Sequence, residues 1–244
     1  MMKLKIYKNV DDLIKDLADR ISEVSKESIQ ARGQFNFVLS GGSSPKKLYE
    51  LLASESYRNK IDWEKIYFFF GDERFVPADD SQRNSLMVKE ALFEPLKIKN
   101  SNIFEVDTSG SPEESAQKYW NSITSHFQGK LVEFDLNLLG LGDNSHTASL
   151  FPNTSVLNET EATIKSVFVD EVDQYRITMT APLINQSRHI AFLVFGEAKA
   201  KAVFHILEDS SGSVTEYPAR LITEDENKVQ WFLDEKAASL LKHK

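Results

Sequence analysis

The feature that most constrains the fold is a repeated alternation. Short, mostly apolar runs end in glycine or in a charged cluster, and each is followed by a stretch with helical spacing. The run 35–39 (F-N-F-V-L) leads to S-G-G-S-S-P and then to helical spacing over 48–52, and the run 66–70 (I-Y-F-F-F) leads to G-D-E-R. Runs this short and apolar suit strands buried on both faces. The same reading marks strands at 103–106, 135–141, 166–169, 176–180, 190–195 and 229–233. Helices are expected over 10–31, 85–93, 113–127, 198–207 and 236–241. In the first of these, Val10, Leu13, Ile14, Leu17, Ile21 and Val24 share one face, with Asn9 or Asp11 placed to cap. Strands alternating with helices imply an α/β fold with a mainly parallel sheet covered on both faces.

With 244 residues, 41% of them hydrophobic, the chain can bury a substantial core as one large domain or two small ones. No Pro/Gly/Ser-rich linker, charge block or repeat divides it, so a single domain over 1–244 is the expectation. The opening M-M-K-L-K-I-Y-K lacks the apolar region of a signal peptide. No apolar run approaches the roughly 18 residues that span a bilayer, so a cytoplasmic protein without membrane contact is expected. The absence of cysteine excludes disulfides, cysteine-based zinc sites and thiol nucleophiles. A net charge of -8 argues against a nucleic-acid partner, whose phosphates demand a basic surface. It leaves room for a small anionic substrate, which needs only a local cluster of donors.

In open α/β sheets, ligands bind beyond the carboxyl ends of the strands, and four such ends here carry polar clusters. At 39–49 (L-S-G-G-S-S-P-K-K-L-Y), Gly41 and Gly42 permit a sharp turn. Ser44 can cap the helix that follows and Pro45 suits its first position, and free amides at that helix start would hold an anion. The loop fits neither the Walker A nor the G-x-G-x-x-G pattern, so no nucleotide is indicated. At 68–77 (F-F-F-G-D-E-R-F-V-P), Asp72, Glu73 and Arg74 follow a very apolar strand and read as site residues, with Arg83 and Asn84 as further polar candidates. At 139–152 (L-G-L-G-D-N-S-H-T-A-S-L-F-P), two glycines precede His146, a natural general base near neutral pH. Finally, Arg176 in R-I-T-M-T-A-P and Lys199 in G-E-A-K-A would bring two positive charges to a phosphate. His126, His205 and His243 fall in helical contexts and His189 precedes a strand. None has metal-ligand spacing, and no metal site is inferred.

Taken in order, the motifs S-G-G-S-S-P, G-D-E-R-F-V-P, G-L-G-D-N-S-H-T-A-S-L-F-P, R-I-T-M-T-A-P and G-E-A-K-A resemble those of the 6-phosphogluconolactonases. Their superfamily also holds glucosamine-6-phosphate deaminase. The resemblance runs from the N-terminal helix to W-F-L-D at 231–234. It implies a single three-layer α/β/α domain on a Rossmann-like, mainly parallel sheet. It also implies hydrolysis of a phosphorylated sugar lactone without metal or organic cofactor. Carried onto this sequence, it gives His146 the catalytic position and puts Arg74 in the cleft. The Gly42, Ser43 and Ser44 amides bind phosphate, with Arg176 and Lys199 as partners.

The family usually writes D-G-H where this chain has Asn144, Ser145 and His146. Asparagine can orient an imidazole through a hydrogen bond but lacks the carboxylate charge. Asp143 is the alternative orienter if the loop shifts register. Asp72 is open to two roles, orienting Arg74 or the sugar hydroxyls and taking part in proton transfer. Two rivals remain. In a sugar-phosphate deaminase or isomerase, a loop resembling H-I-A-F-N-E-P carries a glutamate, and here Phe151 stands in its place. A non-catalytic sugar-phosphate sensor would keep the phosphate loop and lose turnover.

Overall fold

The computed structural model describes residues 3–222 and 228–242, so His243 lies outside the described residues. Six strands, β1 (Lys3–Tyr7), β2 (Phe35–Leu39), β3 (Ile66–Phe70), β5 (Leu136–Leu139), β8 (Ile190–Val194) and β9 (Val229–Asp234), form a sheet in the order β1-β9-β8-β5-β2-β3. Every pairing in it is parallel. The two-residue period of a strand sorts its side chains into two cores. Phe35, Phe37 and Leu39 join one with Phe68, Leu138 and Leu193, beneath the helices α1 (Val10–Arg32) and α2 (Ser43–Ala53). Val38, Phe69, Phe192 and Trp231 join the other, against the Pro112–His126 and Ala200–Leu207 helices. The sheet is thus covered on both faces, as the apolar runs required.

After β2 the chain moves to β3 by way of a helix on one face, whereas after β5 it moves to β8 by way of the other. The carboxyl ends of β2 and β5 therefore flank the crevice where ligands bind in such sheets.

A second sheet stands beside this edge. β4 (Asp72–Arg74), β6 (Ile164–Val169) and β7 (Gln174–Met179) pair antiparallel in the order β4-β7-β6. The chain leaves the first sheet at Gly71, whose N–H donates to Leu39 O at 3.1 Å and whose carbonyl accepts from Met179 N at 2.8 Å.

Several expectations need correction. The cluster at 72–74 is a strand rather than a loop. The strands expected at 166–169 and 176–180 are present as β6 and β7, paired antiparallel with each other outside the parallel sheet. Segment 103–106 makes a single bridge, Phe68 to Ile103, on the free edge of β3. Residues 236–240 are turns rather than a helix, started by Asp234 Oδ1 accepting from Ala237 N at 2.8 Å. The 85–93 helix begins at Asn84 and widens to π geometry over Lys89–Phe93. Asn9, not Asp11, caps α1, accepting from Asp12 N at 2.8 Å. Among the described residues, no helix is long and apolar enough to cross a membrane.

Candidate active site

A cleft of about 260 Å³ opens at the switch point, lined by Gly41, Gly42, Ser43, Ser44, Asp72, Arg74, Asn84, Gly142, His146 and Lys199, among others. Its floor is the start of α2. Gly42, at φ 99°, is the residue preceding the first turn, and no side chain caps that turn. Ser44 is therefore not the cap expected of it, and Pro45 occupies the third helical position rather than the first. The consequence favours a ligand, because the first-turn amides at Ser43 and Ser44 remain open to an anion. Two contacts hold the loop rigid. The buried Tyr49 hydroxyl donates to Ser40 O at 2.8 Å and accepts from Ser40 N at 3.0 Å. Asn84 packs so closely that any Cβ at position 41 would overlap its amide, which explains the glycine there.

Asp72 and Arg74 point from β4 toward the cleft while Glu73, between them, points away. Glu73 is fully buried. Its carboxylate accepts from Arg74 N (2.8 Å), Asn84 N (2.8 Å) and Ser85 N (2.9 Å), so it anchors the start of the following helix instead of serving the site. Burial nevertheless pushes its pKa up, against the pull of these N–H groups and of Arg83. Arg83 is buried as well and donates to Val106 O, Thr108 Oγ1 and Ser85 Oγ, which makes it a structural tie. Asn84 does reach the cleft, held by a 2.9 Å donation to Asp72 O. Asp72 accepts from the Ser149 hydroxyl at 2.6 Å.

The third wall is the turn after β5. Ser145 (φ 65°), Ala148 (φ 47°) and Asn153 (φ 60°) are all left-handed, a concentration of backbone strain of the kind found at functional sites. The turn is fastened by Gly142 N to His146 O (2.8 Å), Thr147 Oγ1 to Gly140 O (2.8 Å) and Ala219 N to Ser145 O (3.0 Å). The imidazole lies against the Cα of Gly142, leaving no room for a Cβ there. On its other side it stacks on Phe151, with centroids 3.8 Å apart and planes 16° apart.

The hydrogen bonds fix the tautomer. Asn144 Nδ2 donates to Glu171 Oε2 at 2.7 Å, and since an ionised carboxylate only accepts, the other amide atom, Oδ1, must face the imidazole. His146 Nδ1 therefore carries the proton it gives to Asn144 Oδ1 at 2.6 Å. Nε2 keeps its lone pair and makes no hydrogen bond among the described residues. Burial lowers the histidine pKa to about 4, opposed by Asp72 and reinforced by the cations Lys199 and Arg176. At neutral pH the ring is therefore uncharged, with Nε2 as its acceptor. Asp143, the alternative orienter, is turned away and pairs with Lys199 at 2.6 Å.

Arg176 sits directly across from Arg74 in the β4–β7 register and is 8% exposed. It is not among the residues lining the cleft, yet its charge acts on His146. Its Nε has no partner, nor has that of Arg74, and among the described residues the Arg176 guanidinium makes no hydrogen bond or ion pair. Burial and the facing Arg74 charge lower its pKa. The buried Arg176 guanidinium thus faces the half-buried Arg74, which donates from Nη1 to Gln82 O at 2.7 Å, and among the described residues neither has a carboxylate within ion-pair distance. Two such cations side by side suit an anion.

Ser149, Phe151 and Glu171 complete the site, and the sequence reading gave them no such role. The single signal for Phe151 was its position in the glutamate's place. Glu171 lies 27 residues from Asn144 and becomes its neighbour only through the β6–β7 hairpin.

The sheet order, the crevice and its lining define an α/β protein of Rossmann-like architecture with a polar cleft at its switch point. Residues 8–231 match the family described as glucosamine-6-phosphate isomerases/6-phosphogluconolactonase, and the chain belongs to that family. It is 40% identical over 221 residues to a 6-phosphogluconolactonase of Synechocystis sp., covering 88% of each chain. It is 32% identical to a probable 6-phosphogluconolactonase of Arabidopsis thaliana, over 98% of this chain and 93% of that one. The solved structure of 6-phosphogluconolactonase from Trypanosoma cruzi superposes with a TM-score of 0.88 at 27% identity, covering 100% of this chain and 98% of the other.

Proposed function

We propose that the chain hydrolyses 6-phospho-D-glucono-1,5-lactone to 6-phospho-D-gluconate, the lactone-opening step of the oxidative pentose phosphate pathway. The observation that carries this reading is the neutral His146, with Nε2 unpaired at the wall of a cleft whose floor is an uncapped helix start. The α2 amides at Gly42, Ser43 and Ser44 hold the phosphate, with Arg176 and Lys199 supplying charge. Lys199 exchanges Asp143 for the ligand as it does so. Remote binding of this kind fixes C1 against a water molecule and lowers the entropic part of the barrier.

His146 Nε2 accepts a proton from that water as the water oxygen bonds to C1. The carbonyl oxygen becomes an oxyanion, stabilised by Arg74 or by loop amides. The C1–ring oxygen bond then breaks, and the imidazolium returns its proton to the departing ring oxygen. Asn144 holds the ring through Nδ1, and Asp72 favours the transient imidazolium. A base of pKa about 4 is weak, but a bound phosphate offsets the Lys199 and Arg176 charges that help to depress it. Substrate binding thereby strengthens its own base.

Phe151 argues against the deaminase or isomerase chemistry of the same family, because it fills the glutamate's position with a ring stacked on His146. The test is a coupled assay with freshly generated 6-phosphogluconolactone, corrected for spontaneous hydrolysis. Acceleration supports the proposal. Phosphogluconate binding without acceleration identifies a sensor and overturns it.

A further inference from the structure

Resting on the lactonase reading, we infer that Glu171 is a positioning residue that sets the tautomer of the catalytic base through Asn144. An asparagine beside a histidine is ambiguous, since its amide can present either an acceptor or a donor to Nδ1. Were the NH₂ to face the ring, Nδ1 would become the acceptor, the proton would move to Nε2, and the atom at the cleft could no longer accept one from water. The flip is settled by the carboxylate on the far side. Glu171 Oε2 accepts from Asn144 Nδ2 at 2.7 Å, which leaves Oδ1 for both the His146 backbone N (3.2 Å) and ring Nδ1 (2.6 Å). The same carboxylate polarises the amide toward Oδ1, so that negative charge reaches the imidazole at one remove. An aspartate at position 144 would need no such partner, and Glu171 thus supplies from the hairpin turn Asp170–Val172 what the asparagine lacks.

The inference is tested on the full chain without substrate, by ¹⁵N NMR of the histidine rings at pH 7, the His146 signals being assigned by their loss in His146→Ala. The wild type should show protonated Nδ1 and unprotonated Nε2. Glu171→Ala should shift the population toward the Nε2–H form and lower kcat about tenfold with KM little changed, the scale of one hydrogen bond lost in the transition state. Glu171→Gln, which can still accept from Asn144, should keep the tautomer and lose only about two- to threefold, within the range of a neutral hydrogen bond replacing a charged one.

A charge swap is the sharper arm. Asn144→Asp alone sets two carboxylates against each other and should impair turnover, whereas Asn144→Asp with Glu171→Gln rebuilds an acid–amide pair and should recover it. An unchanged tautomer and a kcat within twofold in Glu171→Ala would overturn the inference, as would a double variant no better than Asn144→Asp. If the wild type accelerates no lactone hydrolysis, the functional reading fails on its own, and the ring signals still report on Glu171.

Discussion

The two sheets build the same cleft by opposite means. The parallel sheet contributes backbone, in the uncapped start of α2 after β2 and the left-handed turn after β5 that carries His146. The antiparallel sheet contributes charged side chains from one narrow ribbon: Asp72 and Arg74 on β4 line the cleft, while Arg176 on β7 and Glu171 on the connecting turn stand outside its lining and act through their charge and through Asn144. The first device is stable without ligand, because open amides at a helix end can be met by water. The second is not at ease without ligand. Like charges directly opposite in an antiparallel pair destabilise it, and Arg74 faces Arg176 in that manner with both Nε atoms unpartnered. The parallel sheet holds the shape of the site, and the ribbon sets two like charges face to face, a repulsion that an anion bound as proposed would relieve.

The largest effect belongs to the parallel side. His146→Ala should lower kcat by roughly 100-fold or more, the scale of a lost general base, while phosphogluconate still binds. Near-wild-type turnover in the purified variant would remove His146 from that role. Replacing Arg176 breaks the comparison from the other side. Arg176→Met should weaken phosphogluconate binding by about 10- to 100-fold, since a charge-assisted hydrogen bond is worth about 1.5–3 kcal/mol. The same change should leave the ligand-free protein as stable or more stable in a thermal melt, because it removes a buried charge with no partner. Lys199→Met should also weaken binding, without the gain in stability, because its exchange partner Asp143 is largely exposed. A fall in ligand-free stability for Arg176→Met would mean that the arginine pair supports the fold.

The pH dependence of stability tests the burial of His146. Its folded pKa of about 4 lies below the ordinary value of 6.5, so the unfolded chain binds the proton more readily. The contribution to stability is complete above pH 6.5 and is lost as pH falls toward 4, by an amount on the order of 2–3 kcal/mol. Burial is the main cause, so His146→Leu should flatten that part of the wild-type stability curve in a urea titration at stepped pH. Inorganic phosphate or phosphogluconate should raise the His146 pKa in the wild type by neutralising Lys199 and Arg176. A pKa that ignores the ligand would place the anion too far from the base to assist it.

What was legible in the sequence follows the same division. The runs of β2, β3 and β8 announce themselves because both faces are buried and a continuous apolar stretch has few other uses. The carboxyl ends of β2 and β3 led directly to Gly42, Asp72 and Arg74, and that of the equally buried β5 to His146. The antiparallel ribbon was obscure because β4 is three charged residues, D-E-R, a composition typical of turns. Charge after a buried strand did not distinguish Asp72 and Arg74 from Glu73, whose carboxylate serves as an anchor for backbone amides. Local sequence could not reveal that β4 alternates two residues into the cleft with one behind it. β1 was missed because K-L-K-I-Y at an edge alternates polar and apolar residues over only five positions. Glu171 had no signal of its own, since its effect on His146 depends on a hairpin bringing it to an amide 27 residues away.

The smallest effect concerns Ser145, where the rigid side of the comparison carries strain of its own. Its φ of 65° lies in the left-handed region, where a β-carbon costs about 1–2 kcal/mol, and the family's D-G-H pattern has glycine at this place. Ser145→Gly removes that strain but adds backbone freedom to the unfolded chain, worth roughly 0.5–1 kcal/mol in the other direction. The difference leaves a gain of between zero and about 1.5 kcal/mol, a rise in Tm of no more than about 3–6 °C for a chain of this size. The Ser145 N–H to Gly142 O bond (3.0 Å) and the Ala219 N–H to Ser145 O bond (3.0 Å) involve backbone only and survive the change. The imidazole should therefore keep its place and kcat should stay within about twofold, the scatter expected when no contact to the reacting atoms is altered. A marked loss of turnover with unchanged stability would show instead that the serine side chain, buried at 1% exposure, stiffens the turn that aims His146, and that the strain there is part of how the base is held.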